Sequence, residues 1–186
     1  HYPLRRQRQM CIRDRAMTHV ILQEFYEDEP SDMFVNYAKQ YTDMPFVLML
    51  DEDENGYKAG RFLRASDLGI KSENGEWKPV IHDAISHRLV VPNGTMGQRW
   101  EEGKQWNLKL ETEDGSKIDP ALSVAEEDYE LQTIQFPYFD SQGDGIFERP
   151  IPTKKVKLAD GKEVRIATVY DLSLIHISEP TRQEAI

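Results

Sequence analysis

The sequence has a single cysteine, Cys11, among its 186 residues. One thiol cannot form an intrachain disulfide, and alone it cannot supply a zinc–thiolate site. No stretch approaches the roughly 18 consecutive apolar residues of a membrane-spanning helix. Basic residues are also scarce: 23 Lys and Arg stand against 33 Asp and Glu, which gives a formal net charge of −10. We therefore do not expect a nucleic-acid partner, because such a surface needs a basic patch.

The two ends of the sequence have the pattern of translated adapter DNA. Residues 10–14 can be encoded by a strand whose reverse complement, read out of frame, encodes residues 172–177. Two protein termini have no physical reason to be encoded by complementary strands, whereas an insert flanked by inverted adapters has one. We therefore expect residues 1–15 and 172–186 to be adapter-derived and residues 16–171 to be the biological segment. Leu172 is the one position where a native residue could coincide with adapter sequence.

Residues 16–171 lack cysteine and are more acidic than the whole chain. They contain 17 Lys and Arg against 30 Asp and Glu, a formal charge of −13. This balance is typical of an acidic, solvent-exposed face and argues further against nucleic acid as a partner.

The hydrophobic pattern predicts a helical start. Apolar residues recur at helical spacing within residues 16–27. Pro30-Ser31-Asp32 is then a helix-start signal, with Ser31 as the N-cap. A second helical stripe follows at Phe34, Tyr37, Ala38 and Tyr41. Pro45 ends this helix, because the residue before a proline avoids helical geometry.

The rest of the segment has the pattern of strands. Residues 46–50 form a continuous apolar run, which predicts a strand buried on both faces. Asn55-Gly56 predicts a hairpin turn, and we expect a second hairpin between residues 77–83 and 88–91. Further turns are expected at Asn93-Gly94, Asp114-Gly115 and Asp160-Gly161, the last one between two alternating strands. The predicted fold class is α+β: a helical start followed by β-rich hairpins and long loops.

Some residues resemble sites but fail on their chemistry. Residues 140–146 resemble half of a calcium loop, yet Ile151 stands where a bidentate glutamate is required and Pro150 blocks the exiting helix. His82 and His87 could face each other across a hairpin, but a metal needs three or four ligands, so we expect ordinary surface histidines. The tryptophans are expected to anchor the core or loops rather than nucleic-acid bases; they are Trp77, Trp100 and Trp106. The residues alone therefore predict no catalytic group and no metal ligand, and they leave any cofactor-binding residue unknown.

Five collinear segments carry a more specific signal. They are AMTHVILQEFYEDEPSDMFVNYAKQYTDMPFVLML at 16–50, GRFLRASDLG at 60–69, VVPNGTMGQRWEEGKQWNLKL at 90–110, FPYF at 136–139 and LADGKEVRIATVYD at 158–171. Together they resemble an interior part of the catalytic alpha subunit of respiratory nitrate reductases, which are molybdopterin oxidoreductases of the DMSO reductase superfamily. The resemblance extends over all of residues 16–171.

The resemblance implies a fragment of a large α/β enzyme that reduces nitrate to nitrite at a molybdenum bis(molybdopterin guanine dinucleotide) cofactor. It also implies a 4Fe–4S cluster, an iron–sulfur beta subunit, a membrane haem gamma subunit that takes electrons from quinol, and a place at the cytoplasmic face of a bacterial membrane. In that family the cluster ligands and the molybdenum-ligating aspartate precede the region that begins at Ala16. None of Asp43, Asp67 and Asp171 is therefore expected to be that ligand. We expect the fragment to be scaffold, inactive alone and not an autonomous domain.

Two alternatives are also compatible with the sequence. One is a sibling molybdoenzyme, such as a nitrite oxidoreductase or a chlorate, perchlorate or selenate reductase, which would differ in a substrate pocket outside the segment. The other is a free-standing acidic β-rich binding module, which would fold cooperatively by itself. A fragment should instead expose apolar surface and aggregate.

Overall fold

The computed structural model describes residues 31–54, 56–94, 108–126, 128–137 and 146–172. Within these ranges lie helix α1 (Asp32–Tyr41) and strands β1 (Val47–Asp53), β2 (Gly56–Phe62), β3 (Ile81–Asp83), β4 (Arg88–Val90), β5 (Glu130–Pro137), β6 (Ile146–Lys157) and β7 (Glu163–Thr168). Short 3₁₀ turns occupy Ala65–Leu68 and Val124–Glu126. The α+β prediction is confirmed. The helix predicted within residues 16–27 lies outside the described residues.

Contacts divide the chain into two units. Ala38–Leu172 forms one compact unit, which contains all the strands of the described residues. Of the other unit the structure describes residues 31–37, which are Ser31 and the first part of α1. Among the described residues, no helix combines the length and the apolar character needed to cross a membrane.

Helix α1 begins and ends where the sequence predicts. The Ser31 hydroxyl accepts a hydrogen bond from the Phe34 amide at 3.3 Å, as an N-cap does. After Tyr41, the Thr42 hydroxyl donates to the Ala38 carbonyl at 2.6 Å and accepts from the Met44 amide at 3.2 Å. Ala38 is buried but Tyr37 and Tyr41 are exposed, so only part of the predicted stripe faces a core.

Five strands close into a barrel in the order β1-β2-β5-β6-β7, with β7 returning to β1. Neighbours are antiparallel except β2 and β5, which are parallel. The predicted turn at Asp160-Gly161 joins β6 to β7. β1 and β2 pair with Asp53 opposite Gly56, and Asn55 of the other predicted turn lies outside the described residues. The β2–β5 ladder has two residue pairs, whereas the β5–β6 ladder has eight. The barrel therefore has one short seam, between β2 and β5.

The main core covers the outer face of β1 and β7. Val47 and Ile166 are buried there against a segment, residues 63–91, that contributes Leu63, Ala65, Val80 and Val91. A second cluster joins Phe46, Ile81, Leu108 and Ile118. Each fully buried aliphatic side chain contributes about 1.5–3 kcal/mol relative to exposure. The prediction of a strand within residues 46–50 that is covered on both sides is confirmed.

The second predicted hairpin is present but shorter than expected. Its ladder is limited to β3 and β4, where His82 pairs with Leu89. His82 is buried, while His87 is exposed and lies in the turn with a φ of 55°. The two imidazoles thus do not occupy facing positions, and the prediction of a surface position was wrong for His82, because β3 is covered on both faces.

Trp77 anchors a loop rather than the core. Its side chain is 61% exposed, and the Arg64 guanidinium lies 5.4 Å from the ring centroid. Such a cation–π contact contributes about 0.5–1 kcal/mol at an exposed site. Trp100 and Trp106 lie outside the described residues.

The calcium-like sequence lies between two strands, as predicted. β5 ends at Pro137 and β6 begins at Ile146, so residues 138–145 connect them, and these residues lie outside the described ranges. β6 continues through Pro150 as a strand, which leaves no place for the exiting helix of an EF-hand.

Candidate functional site

A cluster of charged and hydroxyl groups in the described part of the barrel surrounds Arg165. This residue lies on β7, and its guanidinium donates hydrogen bonds to Glu130 Oε2 at 2.6 Å, Tyr57 Oη at 3.1 Å and Thr153 Oγ1 at 3.3 Å. Tyr57 and Glu130 belong to β2 and β5, each of which is two strands away from β7. The Arg165 side chain thus contacts strands on both sides that are not direct neighbours of β7. It can do so only by extending through the barrel interior.

Charge within this cluster is compensated. The Arg165 side chain is 12% exposed and also stacks on Tyr57, 5.5 Å from the ring centroid. Hydrogen bonding to this guanidinium holds the pKa of the Glu130 carboxyl below its ordinary value. Burial would lower the pKa of Arg165, but the bonds to Glu130 and Tyr57 raise it instead. Arg165 is thus a permanent cation committed to groups of the barrel itself.

A cleft of about 580 Å³ opens beside this cluster. Its lining combines apolar side chains with charged side chains of both signs. The residues that line it are Met49, Leu50, Asp51, Glu52, Tyr57, Arg61, Asp67, Lys155, Leu158, Asp160, Lys162, Glu163, Val164 and Arg165. The basic groups Arg61 and Arg165 are each bonded to a carboxylate. The cleft therefore does not present a surface of one charge sign to a small anion.

Asp67, within the GRFLRASDLG segment, has a structural role. Arg61 donates to both of its carboxylate oxygens at 2.7 Å, and the Arg64 amide donates to Oδ2 at 2.9 Å. These bonds fix the start of the 3₁₀ turn, and the Arg61 guanidinium holds the pKa of Asp67 below its ordinary value. The Asp67 carbonyl also accepts from the Ala159 amide at 2.8 Å. Asp67 thus joins two of the segments that carry the family resemblance.

Asp171 closes the last of those segments and is 1% exposed. Its carboxylate accepts hydrogen bonds from the Ser123 hydroxyl at 2.5 Å and from the amides of Val124 at 3.1 Å and Thr168 at 3.3 Å. The Asp171 amide donates to Thr168 Oγ1 at 3.1 Å, which completes a capping box. Burial raises the pKa of Asp171, and these bonds oppose the rise. The carboxylate therefore fastens the loop around Ser123 to the end of β7.

Asp83 is a further buried carboxylate, which the sequence did not single out. It accepts from the amides of Asp119 at 2.7 Å, Ile85 at 3.3 Å and Ser86 at 2.9 Å, and from the Ser86 hydroxyl at 2.6 Å. Burial alone would raise the pKa of Asp83, but these bonds outweigh it and hold the value below the ordinary one. The sequence signal that could have identified Asp83 is an aspartate before a turn, and this pattern is typical of an Asx-turn rather than of a catalytic site.

The described residues do not fit a molybdenum or iron–sulfur site. In the ranges that the structure describes, no three His, Cys, Asp or Glu side chains are placed to hold a metal ion. Asp43 is exposed in the turn after α1, and Asp67 and Asp171 are occupied in the caps described above. Cys11 lies outside the described residues.

No family model matches the chain. Curated proteins do match it. The chain is 45% identical over 160 residues to the nitrate reductase alpha chain of Bacillus subtilis, covering 86% of this chain and 13% of the relative. It is 40% identical over 172 residues to the respiratory nitrate reductase 1 alpha chain of Escherichia coli, covering 86% and 14% respectively. The nitrate reductase alpha subunit of Mycobacterium tuberculosis matches at 38% over 171 residues, covering 87% and 13%.

These matches extend over most of this chain but over a small part of each relative. The chain spans 13–14% of the length of these three alpha chains. The chain therefore resembles an interior fragment of the nitrate reductase alpha subunit.

Proposed function

We propose that this chain is part of a longer polypeptide, the catalytic subunit of a respiratory nitrate reductase that reduces nitrate to nitrite. The observation that carries the proposal is the 38–45% identity to nitrate reductase alpha chains from several bacteria over 86–87% of the chain. The sibling enzymes considered from the sequence, which act on nitrite, chlorate, perchlorate or selenate, have no such support among these relatives.

Within that enzyme the segment is a scaffold. The side chains of Arg165, Asp67, Asp83 and Asp171 bond to other groups of the same segment. A molybdenum bis(molybdopterin guanine dinucleotide) cofactor and a 4Fe–4S cluster would be held by residues elsewhere in the longer polypeptide. The protein's part in such an enzyme is to bind and orient the cofactor, and a rigid barrel would support the elements that do so.

The proposal includes the partners that the family resemblance implies. They are an iron–sulfur beta subunit and a membrane haem gamma subunit, which would hold the enzyme at the cytoplasmic face of a bacterial membrane. What supports this step is the resemblance of the five sequence segments to respiratory enzymes of this type.

The same proposal treats residues 1–15 and 172–186 as adapter-derived. It is supported by the complementary coding of residues 10–14 and 172–177. Sequencing the source gene across both junctions tests it: we expect different residues at these positions, and the same residues in genomic DNA would contradict it.

The function is tested with the full gene. We expect the reading frame to continue on both sides of residues 16–171 and the purified product to oxidise a reduced artificial electron donor when nitrate is added. Nitrite should accumulate in equal amount to the nitrate consumed. A stop codon directly after Asp171, or turnover with chlorate or selenate but not nitrate, would overturn the proposal.

A further inference from the structure

The outer surface of the barrel is covered on one side. The outer face of β1 and β7 is apolar, and the segment of residues 63–91 packs over Val47 and Ile166 until both are fully buried. This arrangement is the usual one for a sheet with an apolar face, which must be covered by another element of structure.

The outer face of β5 and β6 carries an apolar stretch, which lies between the polar pair Gln135–Glu148 on one side and Lys154 on the other. Leu131 lies opposite Pro152 and Thr133 opposite Pro150, and residues directly opposite in a ladder share one face. Tyr129 precedes Leu131 by two residues and continues the same side by the period of a strand. We define the β5–β6 outer face as Tyr129, Leu131, Thr133, Pro150 and Pro152.

The two faces of this strand pair have opposite exposure. Ile134, Ile151 and Thr153, on the inner face, are buried. Leu131 is 61% exposed and Tyr129 is 48% exposed. A barrel surrounded by water normally places charge outside and apolar groups inside. Here the Arg165 cation lies inside while a leucine, a tyrosine and two prolines line the outside, which is the pattern of a surface that another element covers.

Two prolines on β6 limit what that cover can be. β6 pairs with β7 from Lys154 onward, so residues 146–153 pair with β5 alone among the described strands. Pro150 and Pro152 in this stretch have no backbone N–H and cannot donate to a further strand. The cover therefore packs by its side chains against the outer face and does not extend the sheet.

We propose that an apolar segment of the longer polypeptide covers the β5–β6 outer face, as residues 63–91 cover the face of β1 and β7. The proposal rests on the proposed function, because it takes its occupant from the same alpha chain. The relatives are long enough to supply one: this chain spans 13–14% of their length. The occupant contributes apolar side chains against Leu131 and Tyr129 and contacts both prolines.

The experiment measures thiol reactivity in the full-length chain encoded by the source gene. Leu131→Cys places a thiol on the outer face, and Ser116→Cys places one on an exposed polar turn as the control. Each folded variant is treated with a maleimide, and labelling of the peptide that contains the new thiol is followed by mass spectrometry. We expect Leu131→Cys to react at least about tenfold more slowly than Ser116→Cys, because reaction requires local opening, and equally fast after unfolding.

Each other occupant gives its own result. If Leu131→Cys and Ser116→Cys are labelled equally fast in the folded chain, the face is exposed to solvent and the proposal is overturned. Slower labelling of position 131 at higher protein concentration indicates that a second copy covers the face. Slower labelling only after other subunits are added indicates that a partner covers it. Either result overturns the proposal. Nitrate reduction is assayed on the parent protein, so a failure of the proposed function is distinguished from a failure of this inference. If Leu131→Cys does not fold, Tyr129→Cys in the otherwise unchanged chain provides the same comparison with Ser116→Cys.

Discussion

At the scale of single residues, Arg165 determines how the barrel interior is filled. Its guanidinium bonds to groups on three other strands, and the side chain is largely buried. We expect Arg165→Met to lower the free energy of unfolding by about 2–3 kcal/mol, because it removes charge-assisted hydrogen bonds and leaves Thr153 and Tyr57 hydroxyls without this donor. Denaturant unfolding measures the change.

Lys155 supplies the control for Arg165. Its ammonium lies 3.9 Å from Glu130, and both side chains are more than half exposed. Lys155→Met should change the unfolding free energy by less than about 1 kcal/mol, since exposed ion pairs contribute little. Equal effects of the two substitutions would show that Arg165 acts only as a surface charge.

The pKa of Asp171 predicts a pH dependence of stability. Burial raises the pKa of Asp171 in the folded state, so the unfolded chain loses this proton first as pH rises. The contribution of Asp171 is therefore fully present below the ordinary value of about 3.9 and is lost as pH rises through the raised folded value. We expect Asp171→Asn to gain stability relative to the parent as pH rises through that window, measured by denaturant unfolding at several pH values.

Asp83 provides a control of opposite sign. Its folded pKa is lowered, so its contribution is present above the ordinary Asp value and is lost as pH falls through the folded one. Asp83→Asn should therefore differ from the parent most at neutral pH and least in acid. Parallel stability profiles for Asp171→Asn and the parent would contradict the assignment to Asp171.

Local signals allowed single caps to be predicted, but not the cluster in the barrel. Ser31 was identified as an N-cap because the signal lies within four residues of sequence. Arg165 and Tyr57 are 108 residues apart, and no local pattern connects them. The surface position expected for His82 was wrong for the same reason, since its burial depends on neighbours distant in sequence.

At the scale of elements, the parallel seam between β2 and β5 depends on Gly56. Its φ is +142°, and a Cβ at this position would lie 2.8 Å from the Thr133 carbonyl oxygen of β5. We expect Gly56→Ala to lower the unfolding free energy by about 1–3 kcal/mol, because it combines backbone strain with a clash against the neighbouring strand. Thermal or denaturant unfolding provides the measurement.

A substitution at Gly115 separates the effect of backbone strain from the effect of the clash with β5. It also has a positive φ, +82°, but a Cβ there would have nothing within 4 Å. Gly115→Ala should therefore cost only the left-handed strain of about 1 kcal/mol. If Gly56→Ala lowers the free energy of unfolding no more than Gly115→Ala does, the close contact with β5 does not destabilise the β2–β5 pairing.

Hairpins were predictable from the sequence, whereas closure of the barrel was not. Gly56 and Gly161 adopt positive φ values of 142° and 87°, and a glycine within a turn dipeptide is the sequence signal for such geometry. The pairing of β1 with β7 and of β2 with β5 depends on register between distant strands, which a hydrophobic pattern does not specify.

At the scale of the whole molecule, exposed apolar groups should control the behaviour of the isolated segment. Expressed alone, residues 16–171 are expected to self-associate and to bind a hydrophobic dye, because the β5–β6 outer face is left uncovered. Leu131→Lys should reduce both effects more than Ser116→Lys does, as measured by light scattering and dye fluorescence. A sharp two-state melt of monomeric parent protein would contradict this expectation and favour a free-standing module.

The order of the strands in the barrel also has a consequence during synthesis. β1 and β2 leave the ribosome long before β7, yet β1 needs β7 as a neighbour and β2 needs β5. The first hairpin must therefore wait, with its apolar faces incompletely paired, until about a hundred further residues have been translated, roughly 5–20 s at usual rates of protein synthesis. A newly made chain thus passes through an interval in which it is open to chaperones, and the Arg165 contacts mark the end of that interval.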